Sequence, residues 1–293
     1  MVYIVILNWN GLKDTLECLE SLKKIKYQNY EIVVVDNASE NPEGEIIKEK
    51  YPEIYLIKNQ ENKGFAGGNN IGIKYVMEHG ADYILLLNND TVVSPDFLKI
   101  LVDFAEKQKN IGIVGPKIFY YKSSKIWFNG AKLRPFAGLF RHLEFKTEDR
   151  KSKIKKPIEV DYVSGCCLLI KKEVIKKIGL LFEPFFAYYE EADWCYHARK
   201  SGYKSVIVPQ GVIWHKVAAS AGKVGKNTLS PLQAFYFARN ARIFAKRNLE
   251  GFTKIIFFAA QYTTALAYNL LRCQNFKARL SYLSGLKENV QAD

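Results

Sequence analysis

The amino-acid sequence predicts an α/β fold, with a mainly parallel central sheet flanked by helices and followed by a helical C-terminal extension. Short apolar runs rich in β-branched residues alternate with segments of helical period from Val2 to Pro116, the arrangement that builds parallel strands joined by covering helices. Those runs end in short polar side chains, and the carboxyl edge of an open α/β sheet is where ligands bind. From Leu229 onward the pattern is helical, with no strand candidate.

Taken in order, Val2–Leu7 reads as a buried strand and Leu12–Lys24 as a helix. Strand Glu31–Asp36, helix Glu43–Lys50, strand Ile54–Lys58, helix Gly67–His79 and strand Tyr83–Leu87 follow. Ser94-Pro95-Asp96 sets a capping residue before a proline at the first helical position, which opens a helix over Pro95–Gln108. Strand Ile111–Pro116 comes next. Ile118–Pro157 breaks the pattern, with an aromatic patch (Phe119, Tyr120, Tyr121, Trp127, Phe128) and a basic run from Arg150 to Lys156. An apolar stretch at Tyr162–Ile170, a helix at Lys172–Ile178, a carboxylate-rich helix at Glu190–Ser201 and a strand at Lys204–Val208 complete the core. The expected division is a catalytic unit over 1–216 and a basic helical extension over 217–293.

At 293 residues and 48% hydrophobic, the chain can bury a full core. Its net charge of +13 is uneven: from Lys216 to the end, 12 basic face 3 acidic residues, a balance of +9. A basic, aromatic-rich tail suits an anionic membrane surface or nucleic acid. Phe252–Leu271 is the stretch that approaches span length, yet it carries Gln261, Thr263, Thr264 and Asn269. A spanning helix needs about 20 predominantly apolar residues, so this segment is expected to lie on the bilayer or pack on the core. Cys18, Cys166, Cys167, Cys195 and Cys273 are odd in number and contain no Cys-x-x-Cys. Neither a disulfide framework nor a zinc site is indicated, and a reducing compartment fits. Met1–Leu7 lacks a basic lead and reads as a strand rather than a signal peptide. The expectation is a cytoplasmic protein at the inner face of the membrane.

The most informative residues are Leu87-Asn88-Asn89-Asp90-Thr91. A buried strand ending in amides and one carboxylate can hold a hard divalent cation there, and the cation a diphosphate. Asn8, Trp9 and Asn10 follow the first strand; Asp36, Asn37 and Ser39 follow the second. A ring that stacks on a base and a carboxylate that accepts its protons suit a nucleoside. The loop Asn59–Asn70, NQENKGFAGGNN, follows the third strand, and its Gly64, Gly67 and Gly68 permit close backbone approach. No Gly-x-Gly-x-x-Gly follows the first strand and no Gly-Lys-Ser/Thr loop is present, which argues against dehydrogenases and P-loop proteins. Further on, Glu190, Glu191 and Asp193 open a helix behind an aromatic run. Acids complement the dipole of a first helical turn, and one of them placed beside a hydroxyl can also act as a general base. His215, after the last strand, is either structural or completes a metal site begun by Asp90.

As an ordered set, Asn8-Trp9-Asn10, Val35-Asp36-Asn37-Ala38-Ser39, Glu61-Asn62-x-Gly64-Phe65-Ala66, Leu87–Thr91, Ser164-Gly165 and Tyr188-x-Glu190-Glu191-x-Asp193 resemble family 2 glycosyltransferases. They are most similar to the bacterial and archaeal branch that contains rhamnosyltransferases. The resemblance covers about Met1–Lys216, and the helical Arg239-Asn240 region is also similar. It implies a GT-A fold and inverting, metal-dependent transfer from a dTDP- or UDP-linked sugar, with L-rhamnose from dTDP-rhamnose foremost. The acceptor would be a glycan or a lipid-linked hydroxyl. Trp9 and Asp36 would hold the base, Asn62 and Gly64 would line the nucleotide, and Asn88 and Asn89 would contact ribose and phosphate. Asn8, Asn10, Phe65, Asn70 and Gly165 would complete the nucleotide-sugar site. Asp90, with His215, would bind Mg²⁺ or Mn²⁺. Glu191 stands at the base position after Glu190, with Asp193 orienting the acceptor or the base loop. Two departures stand out: the metal motif has one acid rather than a pair, and the base is Glu rather than Asp.

The aromatic patch and Trp194 could stack on sugar faces or pack in the core. The +9 tail would dock on an anionic surface at about 1 kcal/mol per basic residue. Competing expectations are a sugar-nucleotide pyrophosphorylase, whose usual Gly-rich basic loop Asn8–Lys13 lacks, an inactive nucleotide-sugar-binding module, and a nucleic-acid binder.

Overall fold

The computed structural model describes residues 1–143, 156–217 and 228–288. Strands β1 (Val2–Asn8), β2 (Tyr30–Asp36), β3 (Tyr55–Lys58) and β4 (Tyr83–Asn88) lie parallel in the order β3-β2-β1-β4. Successive strand residues point to opposite faces, so the burial of every residue from Val2 to Ile6 means that both faces of β1 are covered. The linking helices α1 (Leu12–Leu22), α2 (Glu43–Lys50) and α3 (Gly64–Glu78) contribute to that cover. Helix α3 comes very close to the sheet because Gly68 lacks a Cβ, which would sit 2.5 Å from Leu7. That glycine serves packing between helix and strand. Register aligns Asn8 with Asp36 and Leu7 with Asn88, so three strand ends come level at one edge.

Beyond β4 the sheet becomes mixed. A short β5 (Thr91–Val93) and helix α4 (Phe97–Lys107) lead to β6 (Ile111–Tyr120). Helix α4 starts at Phe97, two residues later than expected. Pro95 sits in the preceding turn, its carbonyl accepting from Lys26 N, and Asp96 makes no capping bond. Ile118–Pro157 holds more strand than expected: β6 runs on to Tyr120, and β7 (Ile126–Phe128), β8 (Ala131–Arg134) and β9 (Leu139–His142) follow. Except for Lys156, the basic run from Arg150 lies outside the described residues. After β10 (Ile158–Val160), strand β11 (Cys167–Lys171) inserts antiparallel between β4 and β6. Helices α5 (Lys172–Ile178) and α6 (Glu190–Lys200) precede β12 (Lys204–His215).

Strand β12 does not end at Val208. Proline removes a ladder donor and usually ends or bulges a strand. Here an irregularity between Val208 and Val212 absorbs Pro209, and the strand resumes beside β6 as far as His215. Its last residues pair with β5, His215 opposite Thr91.

The C-terminal helices are α7 (Pro231–Asn248), α8 (Gly251–Gln261), α9 (Thr264–Arg272) and α10 (Phe276–Lys287). Ser230 and Gln233 form a reciprocal capping box at the start of α7, with Pro231 at the first helical position. Phe252–Leu271 is thus two helices broken at Tyr262-Thr263, and among the described residues no helix is long and apolar enough to cross a membrane. Phe185 packs with Ala241, Phe244, Leu249 and Phe257, a cluster that joins the loop before α6 to α7 and α8.

Candidate active site

The strand ends open into a cavity of about 1680 Å³, walled on one side by Trp9, Asn88 and Asp90 and on the other by residues of α7 and α9. Ordinary ligand pockets hold about 300–1,000 Å³, so this one has room for two substrates.

The β4–β5 turn is fixed by its neighbours. Asn88 N donates to the Cys166 carbonyl at 2.9 Å, and Lys216 N donates to the Asp90 carbonyl at 2.9 Å. Lys216 is anchored in turn by Asp14 and Glu17, at 2.6 and 2.7 Å. These contacts bring the end of β12 onto the turn, so His215 Nε2 lies 2.9 Å from Asp90 Oδ1. The pair is buried, and Asp90 Oδ1 makes no hydrogen bond of proper geometry. Two cis ligands of an octahedral ion at about 2.1 Å would stand about 3 Å apart, so the pair fits a shared hard cation. Trp127 holds the imidazole edge-on, ring centroids 4.4 Å apart. Among the described residues no group of three His, Cys, Asp or Glu is assembled. That donor set suits Mg²⁺ or Mn²⁺, which commonly take one or two protein ligands and complete their shell with phosphate and water.

On the nucleotide side, Trp9 is 46% exposed and lines the cavity with Asn10, Asn37, Asn62, Gly64 and Phe65. Asn62 Oδ1 accepts from Asn37 Nδ2 and Gly64 N, at 2.9 and 2.8 Å. Gly64 adopts φ +67, and a Cβ there would lie 2.5 Å from the Phe186 ring. The next two amides of α3, Phe65 N and Ala66 N, donate to the Phe186 carbonyl. The start of α3 therefore packs closely on the loop that precedes α6.

Three residues expected to touch the nucleotide stand behind the cavity wall, for a shared reason: buried polar groups must be hydrogen-bonded. Asn8 donates to Glu43 and Ser39 and accepts from Thr15. Asp36 accepts from Ser39 Oγ at 2.5 Å and is 4% exposed. Asn70 pins Leu181 and Glu183. Asn10 and Asn89 reach the wall while bonded internally, to Glu40 N and to Thr15 Oγ1 respectively.

The acids of α6 face the same cavity. Gly165, one residue before Cys166, has its Cβ position 3.8 Å from the Glu191 Cβ, which links the Asp90 turn to the acids through a single strand end. Glu190 and Glu191 both line the cavity, and each keeps an oxygen, Oε2, without a hydrogen-bond partner. Burial pushes both carboxyls above the ordinary range, and for Glu190 the neighbouring Glu191 adds to the rise. Asp193 turns away: Asn248 Nδ2 donates to it at 2.6 Å and Arg247 Nε lies 3.2 Å from it, so it ties α6 to α7. Trp194 is buried and donates to the Gly179 carbonyl, a core role.

One site residue went unassigned in the sequence. Asn240, fully buried on α7, donates from Nδ2 to the carbonyls of Phe185, Ala187 and Tyr188 at 2.9, 2.7 and 2.7 Å. Those carbonyls belong to a loop in which Phe186, Tyr188 and Tyr189 all adopt positive φ. The signal was the similarity at Arg239-Asn240; the contact, more than 50 positions away, is tertiary.

Comparison with known proteins gives the family and the fold. The profile of the family described as "Glycosyl transferase family 2" matches residues 3–179. The chain is 26% identical to "dTDP-rhamnosyl transferase RfbF" of Shigella flexneri, with 98% of this chain and 95% of that protein covered. It is 25% identical to an "N-acetylglucosaminyl-diphospho-decaprenol L-rhamnosyltransferase" of Mycobacterium tuberculosis, over 70% and 72% of the two chains. Among solved structures, GalNAc-T7 with UDP, GalNAc and Mn²⁺ superposes with a TM-score of 0.66 at 15% identity. The match covers 92% of this chain and 56% of that one. The mannosyltransferase PcManGT of Pyrobaculum calidifontis, in complex with GDP-Man and Mn²⁺, superposes at 0.58 with 16% identity, over 99% and 76%. These likenesses show the fold, which is GT-A.

Proposed function

The chain belongs to glycosyl transferase family 2 and is a glycosyltransferase, and from that premise we propose that it moves L-rhamnose, with inversion, from dTDP-rhamnose to a hydroxyl of a glycan or lipid-linked acceptor. The reading rests on one observation: Asp90 and His215 share a single cavity with Glu191. The near full-length similarity to a protein named as a dTDP-rhamnosyl transferase supports the donor, and the similarity to a decaprenol-linked rhamnosyltransferase supports the acceptor class.

Trp9 would stack on the base, with Asn37 and Asn62 at its edge and Asp36 bracing the loop from behind. Asn88 and Asn89 would meet ribose and phosphate. Asp90 and His215 would hold Mg²⁺ or Mn²⁺, whose charge stabilises a diphosphate leaving group. Glu191 accepts the proton of the acceptor hydroxyl as that oxygen attacks the anomeric carbon and the bond to the nucleotide's terminal phosphate oxygen breaks. Glu191 is the better base because it lies against Gly165, at the strand end next to the Asp90 turn. Asp193 and Asn240 hold the loop and helix that carry it.

A panel of dTDP-, UDP- and GDP-sugars, assayed with Mn²⁺ for release of free nucleoside diphosphate, tests this. dTDP-rhamnose should give the fastest release. Preference for a UDP-sugar would replace the donor, and no release from any member would remove the transferase reading.

A further inference from the structure

Three successive helices at the C-terminus each leave an apolar stripe uncovered. On α8 and at the residue that ends it, Phe252, Ile255, Ala259 and Tyr262 are exposed at intervals of three, four and three, with Phe252 at 74%. On α9, Ala267, Tyr268 and Leu271 are exposed, Leu271 at 83%. On α10, Phe276, Leu280 and Leu283 follow at intervals of four and three. Such spacing places each set on one face of its helix. The opposite faces are already used: Phe257 and Ala260, then Ala265, then Ala278 and Tyr282 are buried. The outward stripes are therefore surplus to folding. Of fourteen large hydrophobic side chains exposed among the described residues, eight fall between Phe252 and Leu283, which makes a concentration rather than a scatter.

The charge on the same helices says what covers them. Gly251–Lys287 contains Lys254, Arg272, Lys277, Arg279 and Lys287, and no acid. A second copy would oppose the three exposed cations, Lys277, Arg279 and Lys287, with three more. A surface of anionic lipid headgroups would attract them while its acyl boundary takes the apolar stripes.

The position fits too. Helix α9 contributes Thr264, Tyr268 and Arg272 to the cavity wall, while the next residue before Arg272, Leu271, points out of the fold. The rim of the cavity and the apolar face thus share one helix, with Tyr268 in both.

We propose that α8–α10 form a docking face for an anionic bilayer, set so that the cavity opens beside the lipid surface. The consequence for the acceptor, that it is presented at the membrane, rests on the transfer reading above; the docking itself does not.

Flotation of the full chain with phosphatidylcholine vesicles, with and without phosphatidylglycerol, tests the face. The protein should float with the anionic vesicles at low salt, at least ten-fold less at high salt, and not with neutral ones. F252S/I255S/L271S should cut flotation at least ten-fold, and so should K277E/R279E. Nucleotide release, measured in detergent-free buffer, should stay unchanged in both, since none of these residues lines the cavity. Absence of flotation with anionic vesicles, or flotation indifferent to both variants, overturns the proposal. So does a dimer in sedimentation that the triple variant dissolves, which would give the face to a second copy. Flotation without nucleotide release from any sugar donor would leave the docking face standing and remove the transfer.

Discussion

The side-chain amide of Asn240 donates to the carbonyl of Tyr188 at 2.7 Å, which fixes a residue with φ 70 two positions before Glu190. Phe186 and Tyr189 share the left-handed backbone, at φ 63 and 79. Each such residue costs on the order of 1–3 kcal/mol unless its surroundings impose it. Asn240 is the imposing group, since its Nδ2 also reaches Phe185 and Ala187.

Asn240→Ala removes the donor of the Ala187 and Tyr188 carbonyls, while the Phe185 carbonyl keeps Ala187 N, at about 1–3 kcal/mol for each buried group left without a partner that water cannot reach. The variant should melt several degrees lower. Turnover should fall about 10²-fold, as for a misplaced catalytic group. Nucleotide affinity, measured by calorimetry, should hold, because Trp9 and Asn62 lie on other elements. Unchanged turnover in a folded Asn240→Ala protein would show that the loop sets itself.

Glu191→Gln keeps the volume and removes the proposed base. Transfer should drop by about 10²–10⁴, the usual worth of a positioned general base, while the dissociation constant for dTDP changes little. Near-normal turnover in this variant, with loss in Glu190→Gln, would move the role one residue back.

Asp90→Asn and His215→Ala should each weaken dTDP binding in the presence of Mn²⁺ and leave the metal-free affinity nearly as it was. Titrations with and without chelator read this directly. Equal weakening under both conditions would assign the pair to phosphate or to structure instead.

Glu190 gives a pH prediction whose sign can be worked out. Burial and Glu191 raise its carboxyl above 4.5, so between 4.5 and the raised value the folded state binds more protons than the unfolded one. Stability from this group therefore falls as pH rises through that window. Glu190→Gln, which cannot ionise, should melt higher than the wild type at pH 8 and the gap should close below pH 4.5. A gap that stays constant with pH would mean that the carboxylate is relieved by a partner.

Much of this was readable from residue order. The β-branched runs gave β1–β4 almost to the residue, because a strand buried on both faces has little freedom in composition. The turn at Asn88–Asp90 and the acids at Glu190–Glu191 were both expected at the site, and they line one cavity. Periodicity failed where two effects competed. Pro209 reads as a strand end, yet the ladder beside β6 carries β12 past it, and so His215 reaches Asp90 on a strand rather than a loop. Asn8, Asp36 and Asn70 read as ligand contacts because polar residues at strand ends and in a glycine-rich loop look alike whether they serve substrate or fold. In the structure each is bonded within the fold, Asn8 to Glu43, Asp36 to Ser39 and Asn70 to Leu181. Asn240 was marked only by the similarity at Arg239-Asn240, and its role could not be read there because its partners lie on another element.

The clamp on the base loop also has a bearing on biosynthesis. A ribosome releases Glu190 and Glu191 well before it has made Asn240, Arg247 and Asn248. The contacts that hold the loop before Glu190 come from residues further along the chain than the sheet and the acids themselves. The perch of these acids is completed only by α7, which follows them in the chain.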